Sequence, residues 1–337
     1  MTLTNDRTDL PVLMLCNLDR TWTAHETEEA IAETEHLQAA LQKVGHPVTP
    51  VTIYDTDLVT PLRPYSHDEY IVLNWCEGLP GIPHSDALVA QTLEDLNFVY
   101  TGSPPDVLAL SADKREVKAL LDTRGVPTPQ WRIYESAQPD GWGRFPAIVK
   151  PAQEHCSLGI TPESVVMSPG ELRDRIAYVL DTFHQPALVE DFVDGREFHV
   201  WLWGNGTIEM LPPAEMDFSA FSDVHDRLCT YDSKFNPSSV HYNQIKLQLP
   251  APLTPDEYRR LEQISVAAYR TVGCRDYARL DIRLREGVFY VLDVNPNADI
   301  GPESSLVCVA EVMGYSYGAV GSHLVNLATH RKPATAT

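Results

Sequence analysis

The sequence predicts an α/β domain built on a parallel sheet, followed by α+β units whose strands run antiparallel. Three observations carry this reading. Between residues 12 and 103, apolar runs of strand length alternate with stretches of helical spacing, as in strands covered by crossover helices. Residues 131–193 then read strand, strand, helix, strand, and residues 201–217 read as antiparallel strands around the turn Gly204-Asn205-Gly206. Residues 279–297 alternate apolar and polar on both sides of Arg285-Glu286-Gly287, as the two strands of a hairpin do.

Taken in order, residues 12–18 form a continuous apolar run, which a strand buried on both faces requires. Ala30, Ile31, Leu37, Leu41 and Val44 give the stretch 25–44 a helical period, and Gly45 stops it. Residues 48–54 and 70–75 are two more strands, with a helix near 85–96. The loop 74–83 leaves the carboxyl end of a strand, where open α/β sheets receive ligands. Thr101-Gly102-Ser103-Pro104-Pro105 punctuates the chain and sets a first boundary at 103. A helix over 111–124 ends at Gly125, ahead of Pro127 and Pro129, and the helix of the next unit spans 169–183. Residues 218–253 are rich in Ser, Asp, Asn and Pro yet keep their aromatics, which indicates a long functional loop or lid. Thr254 or Asp256 caps a helix through Thr271; helices over 303–313 and 315–329 close the chain, and 331–337 is a loose, flexible tail.

Composition narrows the function. With 337 residues the chain can hold two or three cores, and 43% hydrophobic with 22% charged residues is ordinary for a soluble protein. A formal net charge of -21 argues against nucleic acid or an anionic membrane as partner, so any phosphate must be gripped by a few placed cations. The polar start does not read as a signal peptide, and no apolar run reaches bilayer-spanning length. Six scattered cysteines without paired spacing indicate free thiols, and with these features a cytoplasmic location is expected.

The hairpin carries the strongest chemical signal. Its even positions, Leu280, Ile282, Leu284, Val288, Tyr290, Leu292 and Val294, share a core face if the strands pair with matching parity. That register gathers Asp281, Asp293 and Asn295 on the other face, beside Arg279. Two carboxylates and an amide oxygen are hard donors of the type that holds Mg²⁺. No GxxxxGK[ST] or GxGxxG motif is present, so P-loop and dinucleotide-fold readings lack support. Trp201 and Trp203 read as packing residues; His199, His225 and His241 read as surface histidines near the lid.

Further segments, taken with the hairpin, resemble the ATP-grasp superfamily and, within it, the D-alanine–D-alanine ligase-like branch. They are Tyr100-Thr101-Gly102-Ser103, Asp113-Lys114 with Lys118, Gly125-Val126-Pro127, Ile148-Val149-Lys150-Pro151, residues 190–197, Tyr231-Asp232-Ser233-Lys234, Arg279-Leu280-Asp281 and Asp293-Val294-Asn295-Pro296. The resemblance implies an N-terminal domain over 1–103 and two antiparallel-sheet subdomains, 104–193 and 194–330 with lid 218–253, enclosing ATP. It further implies transfer of the γ-phosphate to a carboxylate and attack by an amine, giving an amide, ADP and phosphate. Lys114 and Lys150 would hold the α- and β-phosphates, and Lys234 in the lid would reach the γ-phosphate. Asp281, Asp293 and Asn295 would hold one or two Mg²⁺, with Mn²⁺ as a substitute, and Arg279 would stabilise the reacting acyl group. Glu190, Asp191, Phe192 and Val193 would form the adenine hinge, Glu197 would take the ribose hydroxyls, and the loop from Glu154 through Ser157 and Leu158 would close over the phosphates. Ile148 and Leu292 would sandwich adenine, which for Leu292 requires a β-bulge. A homodimer is expected by analogy.

The same resemblance exposes departures. Gly and two Ser are usual in the phosphate loop, where this chain has His155-Cys156-Ser157, and Phe235 replaces the usual Tyr after the lid lysine. Glu26 or Glu28 would anchor a substrate ammonium, Asp299 or Gly301 would lie at the oxyanion donor, and Ser304 would meet a substrate carboxylate. The expected activity is therefore amide formation between a small-molecule carboxylate and an amine other than two D-alanines. The competing readings are an ATP-binding regulatory or scaffold protein that has lost turnover, and a true D-alanine–D-alanine ligase.

Overall fold

The parallel sheet forms as the sequence pattern requires. In the computed structural model, which describes residues 6–331, β1 (Val12–Asn17), α1 (Ala24–Val44), β2 (Val48–Ile53), α2 (Val59–Leu62), β3 (Ile71–Trp75), α3 (Asp86–Asp95) and β4 (Val99–Tyr100) make a four-stranded sheet of order β2-β1-β3-β4. Val12 and Met14 pack on one face with Leu37 and Leu41 of α1, while Leu13 and Leu15 pack on the other with Val89 and Leu93 of α3. Two covered faces explain the uninterrupted apolar run.

The chain then forms α4 (Pro105–Ser111) and α5 (Lys114–Thr123), where the sequence predicted a single helix over 111–124. The break lies at Asp113, whose extended backbone and carboxylate cap α5 by accepting from Arg115 N. Next come β5 (Trp131–Tyr134), β6 (Ala147–Pro151), β7 (Val165–Val166), α6 (Pro169–Phe183) and β8 (Ala187–Asp191), an antiparallel sheet of order β5-β8-β6-β7 with α6 packed on it.

The largest sheet follows. It contains β9 (Arg196–Trp203), β10 (Glu209–Met210) and β11 (Ala214–Asp217), then α7 (Asp232–Phe235), α8 (Val240–Gln244), β12 (Lys246–Gln248), α9 (Pro255–Val272), β13 (Tyr277–Arg285) and β14 (Val288–Pro296). Its order is β12-β11-β9-β13-β14, with β10 pairing β9. The 218–253 stretch is thus more ordered than a loop, since it folds two short helices and ends in the edge strand β12. Helices α10 (Ser305–Val312) and α11 (Tyr317–Thr329) return to cover the first sheet. Trp201 and Trp203 are buried between the large sheet and these helices, so they pack as expected.

Two local details position the cleft. Asp281 pairs with Asp293 but Ile282 pairs with Val291, so Leu292 is an extra residue, a bulge in β14. The matching-parity expectation fails on the turn side of the bulge. Phe289 and Val291 fill the core, whereas Val288 is exposed and Tyr290 and Leu292 are only partly covered. The bulge is pinned by Lys118 Nζ donating to Leu292 O at 3.3 Å and by Thr128 Oγ1 donating to Val291 O at 2.9 Å. The Thr101-Gly102-Ser103 turn docks on the far end of β14: Ser103 N donates to Asn297 Oδ1 at 2.7 Å. Gly102 (φ +100°) sits so close that a Cβ would collide with the same amide. At the C-terminus, Arg331 is held by Asp276 and Tyr100 O rather than being loose; the rest of the expected tail lies outside the described residues. Among the described residues no helix is long and apolar enough to cross a membrane.

Candidate active site

The two antiparallel sheets face each other across one cleft. From β6 and the loop after it come Ile148, Lys150, Glu154, Ser157 and Leu158; from the end of β8 come Glu190, Asp191, Phe192 and Val193. The large sheet contributes Glu197, Arg279, Asp281, Leu292, Asp293 and Asn295, while Lys114 enters from α5 and Lys234 from α7. Every nucleotide, metal and catalytic residue expected from the sequence therefore lines the same cavity.

At one end the acidic pair dominates. Asp281 and Asp293 are cross-strand partners, and Asn295 Nδ2 lies 3.3 Å from Asp281 Oδ2. Like charges directly opposite one another cost stability unless cations intervene. Here Arg279 forks onto Asp281 at 2.8 and 3.1 Å, and Lys114 Nζ donates to Asp293 at 3.1 Å. Burial would raise both carboxyls, but Arg279, His199 and Lys234 hold Asp281 well below the usual carboxylate range, and Lys114 lowers Asp293. Both are thus ionised oxygen donors at neutral pH. Lys234 Nζ donates to Ser157 Oγ at 2.9 Å, joining the lid to the phosphate loop. Phe235, the next residue, is exposed and tilted against Tyr231.

The other end is apolar with buried charges behind it. Ile148 clusters with Val165, Phe192 and Leu228, and Leu292, turned out by the bulge, walls the cleft from β14. Glu190 is 1% exposed and ion-paired with Lys118 and, at 2.7 Å, with Lys150. Burial would protonate it, but the two lysines keep it ionised. Glu197 Oε2 accepts from Arg283 Nε at 2.6 Å, and the same guanidinium donates to Val193 O at 2.9 Å and lies over the Phe192 ring. Asp191 is tied to Arg285, and Glu154 accepts from Gln185 Nε2 at 2.7 Å.

The sequence profile of the family described as D-ala D-ala ligase C-terminus matches residues 125–326, well over half the chain. The chain belongs to this family. It is an ATP-grasp ligase, and members of the family join carbon to nitrogen with release of ADP, using ATP and a divalent metal. An uncharacterized Sinorhizobium fredii protein is 34% identical over 302 residues, 87% of this chain and 86% of its own. The D-alanine–D-alanine ligase of Maridesulfovibrio salexigens is 25% identical over 92% of this chain and 96% of its own. A crystal structure of the Bacillus anthracis D-alanine–D-alanine ligase complexed with ATP superposes with a TM-score of 0.70 at 19% identity, covering 95% of this chain and 98% of that one.

The substrate end of this ligase differs from expectation. Glu26 is spent on the capping box of α1, accepting from Thr23 N at 2.7 Å, and Glu28 points to solvent on the same helix; neither lines the cleft. Asp299 folds back to accept from Gly301 N at 2.7 Å, so in this conformation that N–H is not a free oxyanion donor. Ser304 does not line the cleft either, although its hydroxyl is buried without a hydrogen-bond partner among the described residues. Glu33 and Glu77, which carry no local motif, have carboxyls raised by desolvation and then by the charge of Asp299. The resemblance also left Lys118 and Arg283 without a role. His199 proves to be a cleft residue, 8% exposed, not a surface histidine. Strand parity could have found it, since it is two residues from Glu197 and opposite Asp281.

Proposed function

We propose that this chain is an ATP- and Mg²⁺-dependent carboxylate–amine ligase whose substrates are not two D-alanines. The observation that carries the reading is the division of the cleft: the phosphate-, metal- and adenine-facing residues converge, while the substrate-facing ones depart from the ligase pattern. ATP would supply the phosphoryl group and one or two divalent cations would shield its charge. The donor set fits such a cation, because Asp281, Asp293 and Asn295 offer oxygens from paired strands and both carboxylates are ionised.

The chain's own residues divide the remaining work. Lys114, Lys150 and Lys234 neutralise the phosphate oxygens, and Ser157, bonded to Lys234, closes the loop over them. Arg279, aligned by its fork onto Asp281, orients the substrate carboxylate and spreads the charge that develops on it. Ile148 and Leu292 grip the adenine, with Glu190 to Val193 along its edge and Glu197 at the ribose. Glu33, Glu77 and Asp299 lie close enough to repel one another, an arrangement that would favour a cation such as a substrate ammonium beside them.

The test is ADP release from the purified protein with Mg-ATP against a panel of amino acids and small carboxylic acids. ADP formation that requires a pair other than D-alanine supports the proposal. Turnover with D-alanine alone would establish the second reading, which the named D-alanine–D-alanine ligase relatives favour. Mg-ATP binding with no turnover on any pair would leave a regulatory protein.

A further inference from the structure

Beside the hard-oxygen patch lies a second, chemically different cluster. On β9, Glu197 and His199 are two residues apart and so share a face. Cys229 meets them from the segment leading into α7, and the three potential ligand atoms lie within 4.8 Å of one another. All three line the cleft; Glu197 and His199 are buried, Cys229 is partly so. We propose that Glu197, His199 and Cys229 form a binding site for a borderline-soft divalent cation of the Zn²⁺ class, and that its occupancy excludes nucleotide from the cleft.

The chemistry selects the ion. A thiolate, an imidazole and a carboxylate suit Zn²⁺, whereas Mg²⁺ takes oxygen ligands such as those on β13 and β14. Zn–ligand lengths of about 2.0–2.3 Å place tetrahedral ligands about 3.5 Å apart, so closure needs a movement of about 1 Å. The present partners allow it. Arg283 engages Oε2 of Glu197, leaving Oε1 to ligate while the guanidinium fixes the carboxylate. Neither ring nitrogen of His199 makes a hydrogen bond among the described residues; its nearest acid is Asp281 Oδ1 at 3.9 Å. Binding would replace the Cys229 S–H bond by an S–Zn bond, the proton leaving to water, with no change of oxidation state. The exclusion of nucleotide rests on the reading of Glu197 as a ribose contact, whereas the cation site itself does not.

Cobalt(II) is the spectroscopic probe. The full-length, metal-free protein, kept reduced by a phosphine, is titrated with Co²⁺ and then back-titrated with Zn²⁺. One equivalent with a thiolate-to-cobalt charge-transfer band, displaced by Zn²⁺, is expected. Cys229→Ser should abolish the band, His199→Gln, which removes a ligand, should weaken Zn²⁺ binding by more than the roughly 10–100-fold cost of losing an outer-shell partner, and Cys156→Ser should leave both intact. Absence of the band, or its persistence in Cys229→Ser, overturns the site; should that variant not fold, loss or retention of the band in His199→Gln decides. A non-hydrolysable Mg-ATP analogue should weaken Zn²⁺ binding at least tenfold. A cysteine-dependent Zn²⁺ site that ignores a bound analogue overturns the exclusion, and an analogue that never binds overturns the nucleotide reading while leaving the cation site standing.

Discussion

The end of the cleft proposed to hold the nucleotide and the end proposed to hold the acceptor are built in different ways. Most of the first is strand positions, Lys150 on β6, Glu190 on β8, Glu197 on β9, Arg279 and Asp281 on β13, Asp293 and Asn295 on β14, with Lys114 and Lys234 entering from α5 and α7. Hydrogen-bonded ladders fix the spacing of the strand residues, and ion pairs such as Lys118–Glu190–Lys150 hold them in place. The residues expected at the second end lie on helix starts and turns, where Glu26 caps α1 outside the cleft and Asp299 closes the turn onto Gly301. Chemistry required of every member of a ligase family can sit on a rigid ladder. Substrate choice sits on loops, which vary without disturbing the sheets.

This contrast is open to test, most severely at the metal face. Asp293→Asn should cut ADP release on the order of 10²–10³-fold, the scale of losing one group that stabilises transferring charge. A variant that turns over normally would break the distinction between the two ends. Lys118→Ala should lower unfolding free energy by about 3 kcal/mol in urea titrations, because it strips one partner from a fully buried acid and frees the bulge carbonyl. An unchanged midpoint would mean that the bulge does not depend on that lysine.

A smaller effect belongs to Asp281, whose carboxyl titrates below its ordinary range in the folded chain. A depressed folded value makes its contribution complete above the unfolded pKa of about 3.9. The contribution declines as pH falls through the folded value. Unfolding curves of the parent and Asp281→Asn should therefore differ near pH 7 and converge in strong acid. A difference that grew with acidity would reverse the assignment. The smallest change is expected at the other end: Glu26→Gln should cost no more than about 1 kcal/mol through the weakened cap and leave the Michaelis constant for either substrate unaltered. A large rise in that constant would return Glu26 to the acceptor site.

Much of the fold was legible because its signals are periodic. The apolar run of β1, the capped helix α1 and the turn at Glu286-Gly287, both with positive φ, follow from local steric and burial rules. The helix break at Asp113 was less visible, since a capping Asp within a continuous helical pattern looks like a surface residue. That Lys114, Lys150, Glu190, Arg279, Asp281 and Asp293 share one cleft was legible through hairpin parity and through the resemblance to a known family. Glu33, Glu77 and His199 escaped because each is an ordinary residue in its own segment and gains meaning only from neighbours far away in the chain.

By itself, the sequence determined the parallel-sheet domain, most of the longer strands and helices, and the pairing of acids on the hairpin. Only the tertiary structure decided the side on which Leu292 falls, because a bulge exchanges faces by adding one residue, and what holds it is Lys118 and Thr128 from another segment. It also decided that Glu26 serves a helix and that a thiol, an imidazole and a carboxylate share one wall. Alternation along a strand is a local property of the backbone, whereas the partner of a side chain is set by how distant segments pack.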